Sequence, residues 1–265
     1  MINILNYFKR LFFTRSDYAD NFHIRESDVF IVSYPKSGNT WLRFLLCSYM
    51  LGEQCDFQKG RKLIPDIHAD SKIANNLNSP RLLKSHSMFN DSYKKIIYLV
   101  RDGRDVAVSY YWHLIKFKVI PGTLKFSDFL EKFNKGEFGG KWSEHVISWI
   151  DSSTQKHVVR YEDLKSDPVN NLFKIIEFLN LDGDLKPDFN RIVQAVDNCS
   201  LDKMRSIERA QRDSIPTHKN SNFDIDFVRK GGVGDYQNYF SATLEENFIK
   251  LHGNSLKRFG YINNG

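Results

Sequence analysis

Apolar residues cluster in short runs that alternate with longer amphipathic stretches. Positions 29–32 (VFIV) form a four-residue, β-branched-rich run of the kind a fully buried parallel strand requires. Similar runs recur at 81–86 (RLLKSH), 95–100 (KIIYLV) and 157–161 (HVVRY), each ending in polar or charged residues. Helical spacing predicts helices over 41–51 and 106–112, a short amphipathic piece through Phe126, Phe129, Leu130 and Phe133, and a helix ending at Ile150. Asp167 and Pro168 supply a cap and a first-turn proline for a helix over 169–179. By contrast, 52–80 is polar and weakly periodic, which predicts loop with short helices, and 205–226 reads as a polar, mobile loop containing Pro216.

The chemistry collects where strands end. After 29–32 the chain reads Ser33-Tyr34-Pro35-Lys36-Ser37-Gly38-Asn39-Thr40 and then enters a helix at Trp41. A strand, a small-residue turn and a helix N-terminus bring free backbone N–H groups together on an anion, and Lys36 adds a charge. The nucleoside-triphosphate loop needs GxxxxGK[ST], but here Lys36 precedes Gly38. An ordinary βα turn carrying a surface lysine is the plainer alternative. Lys84 and His86 lie at the end of the second run, beyond which ligands of open parallel sheets bind. Arg101 follows the third run and can fork two hydrogen bonds onto a phosphate, with Ser109 about two helical turns on. Asp102 and Asp105 allow a helix-capping ion-pair cluster instead. Further on, 227–240 carries Arg229 and Lys230 before glycines at 231, 232 and 234.

Composition narrows the choices. A chain of 265 residues with 41% hydrophobic content fits one α/β domain or two small ones, and no linker or repeat divides it. The reading is a single domain, 1–265, with an N-terminal extension over 1–25. The net charge of +6 suits anionic ligands, but the basic residues are dispersed among acids, so no nucleic-acid arm is expected. Three cysteines without metal or disulfide spacing point to a reducing cytoplasm. No HExxH or carboxylate cluster calls for a metal. No run reaches membrane-spanning length, although 1–15, basic and aromatic-rich, permits shallow contact with an anionic membrane surface.

Four stretches together resemble the cytosolic-type sulfotransferases that use 3′-phosphoadenylyl sulfate (PAPS). They are YPKSGNTW at 34–41, RLLKSH at 81–86, YLVRDGRDVAVSYY at 98–111 and FVRKGGVGDY at 227–236. The resemblance implies a P-loop-like fold, with a central parallel sheet flanked by helices on both faces. It implies that Lys36 and the backbone of Ser37, Gly38, Asn39 and Thr40 hold the 5′-phosphate, and that Trp41 and Tyr161 face the adenine. Arg101, Ser109, Arg229, Lys230 and Gly231 would hold the 3′-phosphate, with the desulfated nucleotide PAP as product. His86 would be the general base, Lys84 would assist at the sulfuryl group, and Lys36 would neutralise the leaving oxygen. Cys199 and Leu201 replace the usual threonine and aromatic beside the adenine, Tyr236 stands where tryptophan is usual, and the family's dimer motif keeps only Glu246. The acceptor is a hydroxyl or amine of a small molecule, glycan or lipid; acceptor identity and oligomeric state are left open. An ATP- and magnesium-dependent kinase and a non-catalytic nucleotide-binding module are the alternatives.

Overall fold

The computed structural model describes residues 22–180, 185–212 and 221–263. The membrane-contact reading of 1–15 therefore lies outside the described residues, as do 213–220 of the predicted loop. In chain order the elements are β1 (Val29–Ser33), α1 (Asn39–Leu51), α2 (Phe57–Leu63), α3 (Ser71–Asn76), β2 (Leu82–Ser85) and β3 (Lys95–Val100). There follow α4 (Gly103–Lys116), α5 (Phe126–Asn134), α6 (Trp142–Ile150), β4 (Gln155–Arg160), α7 (Tyr161–Ser166) and α8 (Pro168–Leu179). The chain closes with α9 (Phe189–Asn198), α10 (Leu201–Gln211), a 3-10 turn (Asp235–Asn238) and α11 (Ala242–Arg258).

All strand pairs are parallel, in the order β2-β1-β3-β4. The period-2 alternation of a strand explains why β1 is apolar throughout. Phe30 and Val32 enter one core cluster, and Val29 and Ile31 enter a second on the other face. The first cluster is closed by α4, α5, α6 and α11, and the second by α1, α8 and α9. With both faces covered, the strand ends are what remains for ligands. The chain passes from β1 to β2 on one side and then crosses back to β3 on the other, so a crevice opens beyond the carboxyl end of β1.

The expected helix over 169–179 forms as Pro168–Leu179, with the Asp167 carboxylate accepting from the Asn170 N–H. Several boundaries differ from expectation: α4 runs 103–116 rather than 106–112, and Tyr161, read as a strand end, opens α7. Residues 205–211, read as the start of a loop, continue α10 to Gln211. Met204 and Glu208, one turn apart, are both buried, and this tertiary packing outweighs the polar composition.

Candidate active site

The turn after β1 is tight and left-handed. Lys36 and Gly38 both take left-handed backbone angles, φ 70° and 101°. Gly38 cannot be replaced cheaply, because a Cβ there would lie 2.5 Å from a Tyr161 ring carbon. Gly38 precedes α1 without a side-chain cap, and the first intrahelical bond is Leu42 N–H to the Gly38 carbonyl at 3.1 Å. The N–H groups of Asn39, Thr40 and Trp41 thus have no partner within the helix. Ser37 departs from expectation: its N–H donates to the Tyr34 carbonyl at 3.3 Å, so the backbone cradle begins at Gly38. Its buried hydroxyl, however, has no partner among the described residues. The Asn39 side chain braces the turn from beneath, donating to Ser33 Oγ at 3.1 Å and to the Ile31 carbonyl at 3.3 Å.

Lys36 is not the fixed charge that its position suggests. Its ammonium lies 4.2 Å from the Phe227 ring centre and 3.4 Å from His113 Nδ1. Burial, followed by repulsion from Arg101, lowers its pKa to about 7.

Strand register assembles the other end. Ile31 pairs with Lys84 and Val32 with Ser85, so the next residues, Ser33 and His86, fall side by side. His86 Nδ1 lies 2.7 Å from the Ser33 carbonyl, which only accepts; Nδ1 therefore carries the proton and Nε2 keeps its lone pair. Burial, aided by the nearby Lys84 charge, pushes the His86 pKa well below its usual value. A neutral imidazole with an available Nε2 is the form a general base needs. His145 supports it from behind, with Nε2 3.2 Å from the His86 carbonyl and Nδ1 3.0 Å from the Tyr98 hydroxyl. Lys84 is paired with Asp66, a residue that the sequence reading passed over within the polar 52–80 stretch. A lone aspartate in an aperiodic segment carries no local signal.

The third group gathers around Arg101. Arg101 stacks over Tyr161 at 4.4 Å and donates to the Gly232 carbonyl at 2.9 Å and the Lys36 carbonyl at 3.3 Å. Its buried Nε has no partner among the described residues. Tyr161, the first residue of α7, donates to the Gly231 carbonyl at 2.9 Å. Asp105 accepts from the N–H groups of Gly234 (2.8 Å) and Tyr236 (2.9 Å), tying the glycine-rich segment to α4. Asp235 takes 2.6 Å hydrogen bonds from both Arg229 and Lys230. Trp41 Nε1 donates to the Cys199 carbonyl at 3.2 Å, and Trp41 meets Tyr161 edge-on at 5.7 Å.

The three groups meet at a cavity of about 560 Å³. Of the residues singled out in the sequence, Lys36, Gly38, Asn39, Thr40, Trp41, Lys84, His86, Arg101, Ser109, Tyr161, Cys199, Leu201, Arg229, Lys230 and Gly231 all reach its wall. Ser37 lies buried behind it. Missed were Asp66, His113, Lys165 and Phe227; the last three line the cavity, and only the fold brings them there. Among the described residues no cluster of His, Cys, Asp and Glu could hold a metal ion. Among them too, no helix is long and apolar enough to cross a membrane.

An anion cradle, a second cationic clamp and a free imidazole nitrogen beyond the ends of a parallel sheet define a group-transfer enzyme that works on anionic nucleotides. The chain belongs to the sulfotransferase family: residues 26–260 match the family described as Sulfotransferase domain. Bovine Sulfotransferase 1E1 (Bos taurus) is 32% identical over 261 residues, covering 90% of this chain and 86% of that protein. The human protein of the same name is 30% identical, with 91% and 87% covered. The crystal structure of mouse sulfotransferase SULT7A1 complexed with PAP is similar at a TM-score of 0.65 and 26% identity, covering 89% of this chain and 86% of that one. Retinol dehydratase in complex with androsterone and PAP shares the fold, with a TM-score of 0.72 at 21% identity over 89% and 82% of the two chains. The expected P-loop-like sulfotransferase fold is borne out, and the kinase alternative finds no support.

Proposed function

We propose that this enzyme, a single domain, transfers the sulfuryl group from PAPS to a hydroxyl or amine of a small-molecule, glycan or lipid acceptor, with His86 as general base. One observation carries the assignment. The cavity that holds the cradle and the Arg101–Arg229 clamp also holds His86, whose Nδ1 is engaged and whose Nε2 is free. The N–H groups of Asn39, Thr40 and Trp41 that have no partner within the helix, and the unpartnered Arg101 Nε, fit two phosphate groups, as a nucleotide phosphorylated at both the 5′ and 3′ positions presents. The same nucleotide bound to mouse SULT7A1, at 26% identity, supports this reading. Three free, buried cysteines fit a reducing compartment, and we place the enzyme in the cytoplasm.

PAPS supplies an activated sulfuryl group with a phosphate as leaving group. This chain's residues position it and balance charge, as in phosphoryl transfer. His86 Nε2 takes the proton from the acceptor as the acceptor oxygen or nitrogen attacks sulfur in line. Lys36, protonated by the approach of the anion, neutralises the oxygen that departs. Lys84 offers N–H donors to the transferring group. Gly38, Asn39 and Thr40 hold the 5′-phosphate, and Arg101, Ser109, Arg229, Lys230 and Gly231 hold the 3′-phosphate. Trp41, Tyr161, Cys199 and Leu201 bound the adenine.

Calorimetric titration with PAP, against AMP and Mg-ATP, tests the nucleotide half; PAP is expected to bind far more tightly than either. His86→Ala should then lower sulfuryl transfer by about 10²- to 10⁴-fold while PAP affinity stays. Retained turnover in that variant would remove His86 from the role of base.

A further inference from the structure

The residue nearest the proposed chemistry that remains unassigned is Asp66. The chain crosses beside β2 there as an isolated parallel bridge: Lys84 N–H donates to the Pro65 carbonyl at 2.9 Å, and Ile67 N–H donates to the Lys84 carbonyl at 3.1 Å. Asp66 and Lys84 are thus locked side by side through their backbones before their side chains meet. One carboxylate oxygen accepts from the Lys84 ammonium and the other from the His68 N–H at 3.0 Å. Both side chains are largely shielded, at 16% and 11% exposure. A lysine stem of four rotatable bonds is thereby reduced to one position, two residues from His86 on the same strand end.

We propose that Asp66 is a positioning residue for sulfuryl transfer, one that fixes the Lys84 ammonium beside His86 and offsets its charge there; this rests on the function proposed above. An ammonium has three N–H donors. Asp66 engages one, and two remain for the oxygens of the transferring group. The balance of charge matters equally. His86 is faced by Lys84, Asp66 and His68, and by the Ser33 carbonyl through Nδ1. The Lys84 charge weakens His86 as a base, and the Asp66 carboxylate opposes that effect. Asp66 itself is disfavoured as an anion by burial, yet the attraction of Lys84 holds its carboxyl below the ordinary range, so the pair stays ionised. The site thus keeps a lysine next to its base without the full penalty of an isolated positive charge.

The first test needs no acceptor. Lys84 acylation by acetic anhydride at pH 8 is measured by peptide mass spectrometry relative to the exposed Lys135, in the wild-type protein and in Asp66→Asn. Loss of the carboxylate lowers the lysine pKa and loosens the side chain, so relative labelling of Lys84 is expected to rise by about tenfold, and Asp66→Glu to restore it in part. Unchanged labelling in Asp66→Asn overturns the proposal. PAP calorimetry on the same variant separates the two readings. If wild-type protein fails to bind PAP, the nucleotide assignment fails, whereas a variant that binds PAP within about twofold of wild type is folded, and its labelling stands. With 2-naphthol as a probe acceptor, Asp66→Asn should lower kcat by about tenfold with the KM for PAPS unchanged, and should cost nothing further on a Lys84→Met background. An equal loss on both backgrounds would show that Asp66 does not act through Lys84.

Discussion

The two halves of the site are held by different means. Lys84 lies within β2, His86 and Arg101 follow directly on β2 and β3, and Lys36 sits on the turn after β1, so register decides which of them meet: Val32 opposite Ser85 is what brings Ser33 to His86. Arg229, Lys230 and Gly231 sit on an irregular segment that no ladder orders. Carboxylates from other elements hold that segment. Asp105 of α4 binds two of its N–H groups. Glu208 of α10 accepts from the N–H groups of Phe227 (2.6 Å) and Val228 (2.8 Å). Lys116 of α4, 3.4 Å from Glu208 and equally buried, donates to the Ile225 carbonyl at 2.6 Å. A strand end is a rigid mount that side chains inherit, whereas a loop becomes one only through buried charges whose partners lie far away in sequence.

The contrast predicts unequal responses. Arg101→Ala removes a charge-assisted contact beside the strand end and should weaken PAP by about 10- to 100-fold; because Arg101 also holds the Gly232 and Lys36 carbonyls and faces the buried Asp105, the thermal midpoint should fall as well. A loss this large confined to Arg229→Ala would reverse the comparison. A smaller effect should come from pH. In the free protein burial holds Lys36 near 7 against an ordinary 10.5, and a bound phosphate restores its proton. Between those values binding takes up a proton, so PAP affinity should fall as pH rises above 7, by at most about tenfold per unit. The sign for stability is opposite. The unfolded chain holds a proton that native Lys36 lacks over that range, so the free protein gains stability as pH rises through it. Lys36→Met should flatten both profiles, and calorimetry in two buffers of different ionisation enthalpy would detect the uptake. Smallest of all, Glu208→Gln keeps the shape but weakens the hold on 227–228. PAP affinity should drop by about fivefold, and proteolysis near 221–228 should quicken. An unaltered affinity would mean that Asp105 and Asp235 suffice to hold the clamp.

The outlying residues show where reading a sequence stops. Lys84 and His86 were legible because a short apolar run ends on them. Asp66, which meets them from a polar segment, was not, since its role exists only in the bridge to Lys84. The polar stretch from Arg205 likewise concealed a helix, because Met204 and Glu208 are buried by neighbours that the local pattern does not name. Lys36 was found as a residue, but its pKa was not, since that depends on burial and on the charge of Arg101.

By itself the sequence determined the strands, the turns that follow them and the residue types at those turns. Apolar period, left-handed glycine and capping chemistry are local properties, and a parallel sheet places its strand ends together without further instruction. Only the tertiary structure decided which nitrogen of His86 is free, what Lys84 is paired with, and how the Arg229–Lys230 segment is held. Each of these depends on a hydrogen bond or an ion pair between residues distant along the chain, and its strength is set by the burial that folding creates.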